Sequence, residues 1–78
     1  MTCRDNILFG MPYQQERYVA VLEACALQQD IDNMIHGDET VIGDRGATLS
    51  GGQRARLSLA RAIYQVMSIL HALHLSAI

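Results

Sequence analysis

The chain has 78 residues, half of them apolar, with eight acidic and six basic side chains and a net charge of −2. That composition excludes a disordered tail, and so short a chain encloses only a small core. Two cysteines, Cys3 and Cys25, are too few for a disulfide framework and match no zinc spacing, so reduced thiols are expected. The charge is unevenly divided. Two arginines against eight acids give residues 1–44 a net −6, while Arg45, Arg54, Arg56 and Arg61, with no acid, give residues 45–78 a net +4. An acidic chain with few aromatics argues against nucleic acid as a partner. Met1 leads directly into polar Thr2, Arg4, Asp5 and Asn6, without the pattern of a cleavable leader.

In chain order, Arg4 to Gly10 reads as a short helix ended by Gly10 and Pro12, with Ile7, Leu8 and Phe9 as its core anchors. Glu16 to Gln29 reads as an amphipathic helix, because Tyr18, Val21, Leu22 and Cys25 recur at three- and four-residue steps. Asp30 is the expected N-cap of a second, short helix through Ile31, Met34 and Ile35, stopped by Gly37. Thr40-Val41-Ile42 is β-branched and expected to be extended, and Gly43-Asp44-Arg45-Gly46 has the composition of a turn.

A last helix is expected from about Gly52 to at least Gln65, with Ala55, Leu59, Ala62 or Ile63, and Val66 as its apolar stripe. Val66 to Ile78 carries no Gly, Pro or charge and is able to extend that helix. It is too short to cross a bilayer, which takes ~20 apolar residues. Asp30-x-Asp32 and His71-x-x-His74 lack the further ligands that a calcium loop or a zinc site requires.

The most informative stretch is Thr48-Leu49-Ser50-Gly51-Gly52-Gln53, directly ahead of the last helix. Two readings of it stand side by side. A hydroxyl and two glycines at a helix start, where N–H groups are unpaired and the dipole is positive, form an anion site suited to phosphate. Ser50 and Gln53 also have the spacing of a capping box, which needs no ligand at all.

Leu49-Ser50-Gly51-Gly52-Gln53 is identical to the signature motif of ATP-binding-cassette (ABC) transporters. The flanks, Asp38-x-Thr40-Val41-Ile42-Gly43-Asp44-Arg45-Gly46 before it and Ala55-Arg56 and Leu59-Ala60-Arg61-Ala62 after it, are in register with the same family. Residues 2–65 resemble one continuous window of a nucleotide-binding domain, in particular the first such domain of the multidrug-resistance-associated (C) subfamily.

The resemblance implies a mostly α fold: a helical-subdomain fragment of a P-loop ABC ATPase domain, with three to four helices and a short extended loop. Residues 1–65 would be the partial nucleotide-binding domain and residues 66–78 an apolar tail foreign to the family. It implies that Ser50 donates a hydroxyl hydrogen bond to the γ-phosphate of ATP, that Gly51 and Gly52 present backbone N–H groups, and that Gln53 lies near the nucleotide and holds the loop, with Leu49 packed beneath. ATP, with Mg2+ bound elsewhere, would be held by a second nucleotide-binding domain paired head to tail. The cytoplasmic loops of membrane domains would be further partners, on the cytoplasmic face of a membrane transporter exporting organic anions or drugs. The chain has no lysine for a Walker A loop and no acid after Asp44 for a Walker B strand, so no ATP hydrolysis is expected from it alone. The alternative is a truncated, non-catalytic helical interaction module, or a gene-model fragment without activity of its own.

Overall fold

Among the described residues, four α-helices and a 3-10 turn make up the fold: α1 (Cys3–Leu8), α2 (Gln15–Ala24), α3 (Gln28–Asp32), the 3-10 turn Gly37–Glu39, and α4 (Gly51–Ala77). The structure, a computed structural model, describes residues 1–43 and 45–77, except the side chains of Ser76 and Ala77. Among the described residues there is no strand, only the bridges Thr2–Val41 and Ile42–Ala47. The expected mostly α architecture is therefore the observed one.

Thr2 starts α1, its hydroxyl accepting from the Asp5 N–H at 3.1 Å. Phe9 ends it in the left-handed region, at φ 42°. Ile7 is fully buried, but Phe9 is 55% exposed and lies under the Arg61 guanidinium, so it is no core anchor. The segment from Thr40 to Ile42 runs antiparallel to the first residues: Cys3 N–H donates to Thr40 O at 2.9 Å and Ile42 N–H to Met1 O at 3.1 Å. The chain then turns back, with Ala47 N–H donating to Val41 O at 2.9 Å. Gly46 is required here, since a Cβ on it would collide with the Val41 carbonyl. Asp44, in the middle of that turn, lies outside the described residues.

The stripe Tyr18, Val21, Leu22 and Cys25 is buried as its spacing predicts. The helix carrying it is shorter than expected. α2 ends at Ala24, and Ala26 turns the chain at φ 54°, a conformation that alanine disfavours and that no glycine or proline announces. Leu27 is thereby directed into the core. Asp30 is not an N-cap. It lies in the first turn of α3, whose cap position is Leu27, and the helix stops at Asp32, leaving Ile35 84% exposed.

α4 runs unbroken for 27 residues, about 40 Å at 1.5 Å per residue, through Gln65 and the apolar tail. It buries Leu57, Ala60, Tyr64 and Ser68 against α1 and α2. The stripe expected inside, with Leu59 and Val66, is the outer face of α4; those two are 51% and 55% exposed. Polar tips occupy the packed face because each is satisfied. Tyr64 donates its hydroxyl to Pro12 O at 2.6 Å and accepts from Gln14 N–H at 2.9 Å. Ser68 donates to Tyr64 O and accepts from Arg17. Arg61 donates to the carbonyl and side-chain oxygens of Asn6 at 2.8 and 2.6 Å.

Candidate functional site

Ser50 and Gln53 close a reciprocal capping box at the head of α4. The Gln53 N–H donates to Ser50 Oγ at 3.1 Å, and the Ser50 N–H donates to Gln53 Oε1 at 2.9 Å. The first helical bond, Arg54 N–H to Ser50 O at 2.9 Å, follows. Two of the helix's unpaired N–H groups remain, on Gly51 and Gly52. Both glycines are exposed. A Cβ on Gly51 would meet nothing within 4 Å, and one on Gly52 only the flexible Arg56 guanidinium at 3.0 Å. Neither glycine is therefore demanded by the packing of this chain. Leu49, just before them, is half-buried against the core.

The head of α4 is fastened to α3. Asp30 accepts two hydrogen bonds from Arg56, from Nε at 2.7 Å and from Nη2 at 3.0 Å, and Gln53 Nε2 lies 3.5 Å from its Oδ1. The paired guanidinium holds the Asp30 carboxyl below its ordinary pKa, with Gln53 contributing. Sequence reasoning missed this pair; opposite charge alone, at a separation of 26 residues, does not select it. It also missed Asp38, which accepts from both Arg4 Nε and the Tyr18 hydroxyl at 2.8 Å and ties the 3-10 turn to α1 and α2.

The positive charge of the second half is less available than composition suggests. Arg56 is neutralised by Asp30, and Arg61 is turned to Asn6. Arg54 and Arg45 are exposed, and among the described residues neither has an ion pair. An open cleft of about 690 Å³ adjoins the site, with Thr48, Leu49, Arg54, Ser58 and Arg61 in its lining. Ser50, Gly51, Gly52 and Gln53 do not line it; they stand at the largely exposed head of α4. Such an end can face an anion but cannot enclose one, so any enclosing wall has to come from other residues.

A mostly helical chain with Leu-Ser-Gly-Gly-Gln at the head of its longest helix is of the ATP-binding-cassette kind. The chain is homologous to one stretch of ABC sub-family C proteins. It is 64% identical over 64 residues to ATP-binding cassette sub-family C member 4 of Mus musculus, covering 82% of this chain and 5% of that protein. Sub-family C member 8 of Homo sapiens is 54% identical over 69 residues, 88% of this chain and 4% of its own length. The multidrug resistance protein mrp-7 of Caenorhabditis elegans is 56% identical over 69 residues, in the same proportions. No family model matches the chain.

Proposed function

We propose that this chain is the helical-subdomain and signature part of a sub-family C nucleotide-binding domain, and that Ser50, Gly51, Gly52 and Gln53 close over ATP held by the Walker loops of a second such domain. The observation that carries the reading is the pair of exposed glycine N–H groups beside a fixed hydroxyl, on a helix head clamped by Asp30 and Arg56. Ser50 Oγ already accepts from Gln53, and its own hydrogen remains for a phosphate oxygen. Gly51 and Gly52 offer two N–H groups along the positive end of the helix dipole. Gln53, held by Ser50 and near Asp30, keeps the loop in shape. These are positioning and electrostatic roles; none of the four residues moves a proton. ATP bound with Mg2+ would supply the anhydride that is cleaved. The whole protein would couple that binding and hydrolysis to export of organic anions or drugs across a membrane, with this chain on the cytoplasmic side touching the loops of the membrane domains. Among the described residues no helix is long and apolar enough to cross a membrane.

Gly51→Asp separates the two readings of the motif. As a helix cap, an aspartate in the first turn meets no neighbour and suits the dipole, so the substitution is neutral or slightly stabilising. As an ATP-facing amide, it sets a carboxylate against phosphate. In a complete transporter, Gly51→Asp and Ser50→Arg are expected to leave ATP binding to the opposite Walker loops intact and to lower hydrolysis and transport about 100-fold or more, the scale of a lost transition-state donor. Normal turnover in both variants would reduce the motif to a cap.

A further inference from the structure

Among the described residues, Asp30 of α3 is the only acid hydrogen-bonded to α4, and it meets two side chains of that helix at once. Arg56 donates to both carboxylate oxygens, Nε to Oδ2 at 2.7 Å and Nη2 to Oδ1 at 3.0 Å. Gln53 turns its amide nitrogen toward Oδ1 of the same group, at 3.5 Å. The other end of that amide, Oε1, accepts the Ser50 N–H at 2.9 Å. The Asp30 side chain is only 16% exposed, covered by residues of this chain itself.

We infer that Asp30 is a positioning residue for ATP hydrolysis, acting through the Gln53 carboxamide on the Ser50 hydroxyl; the inference rests on the ATP-facing reading of residues 50–53 given above. The Gln53 carboxamide has two unlike ends. Rotated by half a turn about its last bond, it would set its oxygen against the Asp30 carboxylate and its NH2 against the Ser50 N–H, like against like at both ends. A carboxylate in this place therefore admits one orientation, the one in which the Ser50 N–H has an acceptor.

Arg56 fixes the carboxylate in turn. Its two parallel hydrogen bonds hold the Asp30 group in one plane and leave Oδ1 facing Gln53. From there the line continues to the hydroxyl. The Gln53 N–H donates to Ser50 Oγ at 3.1 Å, which fills one side of that oxygen and leaves its hydrogen for a phosphate. Without Asp30 the amide keeps one anchor of two and is free to turn, and each turn takes the acceptor from the Ser50 N–H. Asp30 makes and breaks no bond of the substrate; it decides where the groups that face the substrate point. A plain bridge between α3 and α4 would need the same two arginine bonds but no link to Gln53 or to turnover.

The test is ATP hydrolysis by a complete transporter carrying Asp30→Ala, Gln53→Ala or both. Asp30→Ala is expected to lower kcat about tenfold, the scale on which loss of a supporting group acts, and to leave the KM for ATP within about twofold, since the Walker loops that hold ATP lie on the other domain. The double variant is expected to be no slower than Gln53→Ala alone, because Asp30 acts through that residue, whereas independent effects multiply. Asp30→Asn, of the same shape, should lower kcat in the same direction and serves where the alanine variant does not fold. Gly51→Asp is measured alongside. If Gly51→Asp abolishes turnover while the Asp30 variants are normal, or if the Asp30 and Gln53 losses multiply, Asp30 is only a bridge between helices and the inference is overturned alone. If Gly51→Asp turns over normally, the ATP-facing reading fails and takes this inference with it.

Discussion

Asp30 and Arg56 show how one residue pair sets the site. Their two parallel hydrogen bonds fix the rotation of α4 against α3, and so where Ser50 and the glycines point. The Arg56 side chain is 37% exposed, so solvent screens the pair and its net worth is that of a surface bridge. Because the folded-state pKa of Asp30 is lowered, this stability is present above the unfolded carboxyl value, ~4. It is lost as pH falls through the lower folded value. Denaturant titrations of the parent and Arg56→Ala should therefore differ at pH 7 and converge in acid; an undiminished difference at low pH would mean that Asp30 is not the partner that matters.

Cys3 gives the opposite sign. Burial, with the charges of Asp38 and Asp30, pushes its thiol up to about 11. A raised thiol pKa favours folding below the ordinary value of 9.0 and less so as pH climbs from there toward 11. Burial raises Cys25 as well. At pH 8 both thiols should react with a maleimide far more slowly than in denaturant, and labelling at the rate of an open thiol would contradict the packing of α1 on α4.

At the scale of elements, the break between α2 and α3 is the most instructive feature. The helical pattern continues to Gln29, yet the chain turns at Ala26 with positive φ, because Cys25 and Leu27 both reach the core only if the backbone reverses there. Relieving the left-handed alanine gains ~1–2 kcal/mol and the greater unfolded freedom of glycine costs ~0.4–1. Ala26→Gly is thus expected to stabilise by about 0.5–1 kcal/mol, seen as a rise of several degrees in Tm. A lower Tm would mean that the turn is not held in this conformation. α4 teaches a related lesson. Its sequence carries two faces able to pack, and apolar periodicity picked the one with more aliphatic side chains. The core took the other, where Tyr64, Arg61 and Ser68 pack their stems and rings while their polar ends find partners on α1 and α2 or along the helix.

The molecule as a whole is elongated, 43 × 21 × 19 Å, because α4 outruns the three short elements packed on it. Its core among the described residues is small, the largest fully buried side chains being Tyr64, Ile7, Leu27, Val21 and Cys3. Strong far-ultraviolet helicity with a broad thermal transition is expected, and a sharp transition at high temperature would show a tighter fold than this core provides. With no lysine and no acid beyond Asp44, the purified chain is expected to hydrolyse MgATP no faster than a buffer blank. Turnover that co-purified with the chain and fell with Gly51→Asp would contradict this.

The sequence by itself determined the mostly helical class and the head of α4. Thr2, Ser50 and Gln53 cap helices through groups within three residues of one another, so their geometry is written in the chain. Heptad-like spacing likewise sufficed to find Tyr18, Val21, Leu22 and Cys25. Only the tertiary structure decided which face of α4 is buried, where α2 stops, and that Asp30 clamps Arg56 rather than capping a helix. Those outcomes depend on partners 20 to 57 residues away, brought together by the closing of the whole core, and no local pattern encodes which of several suitable groups will meet.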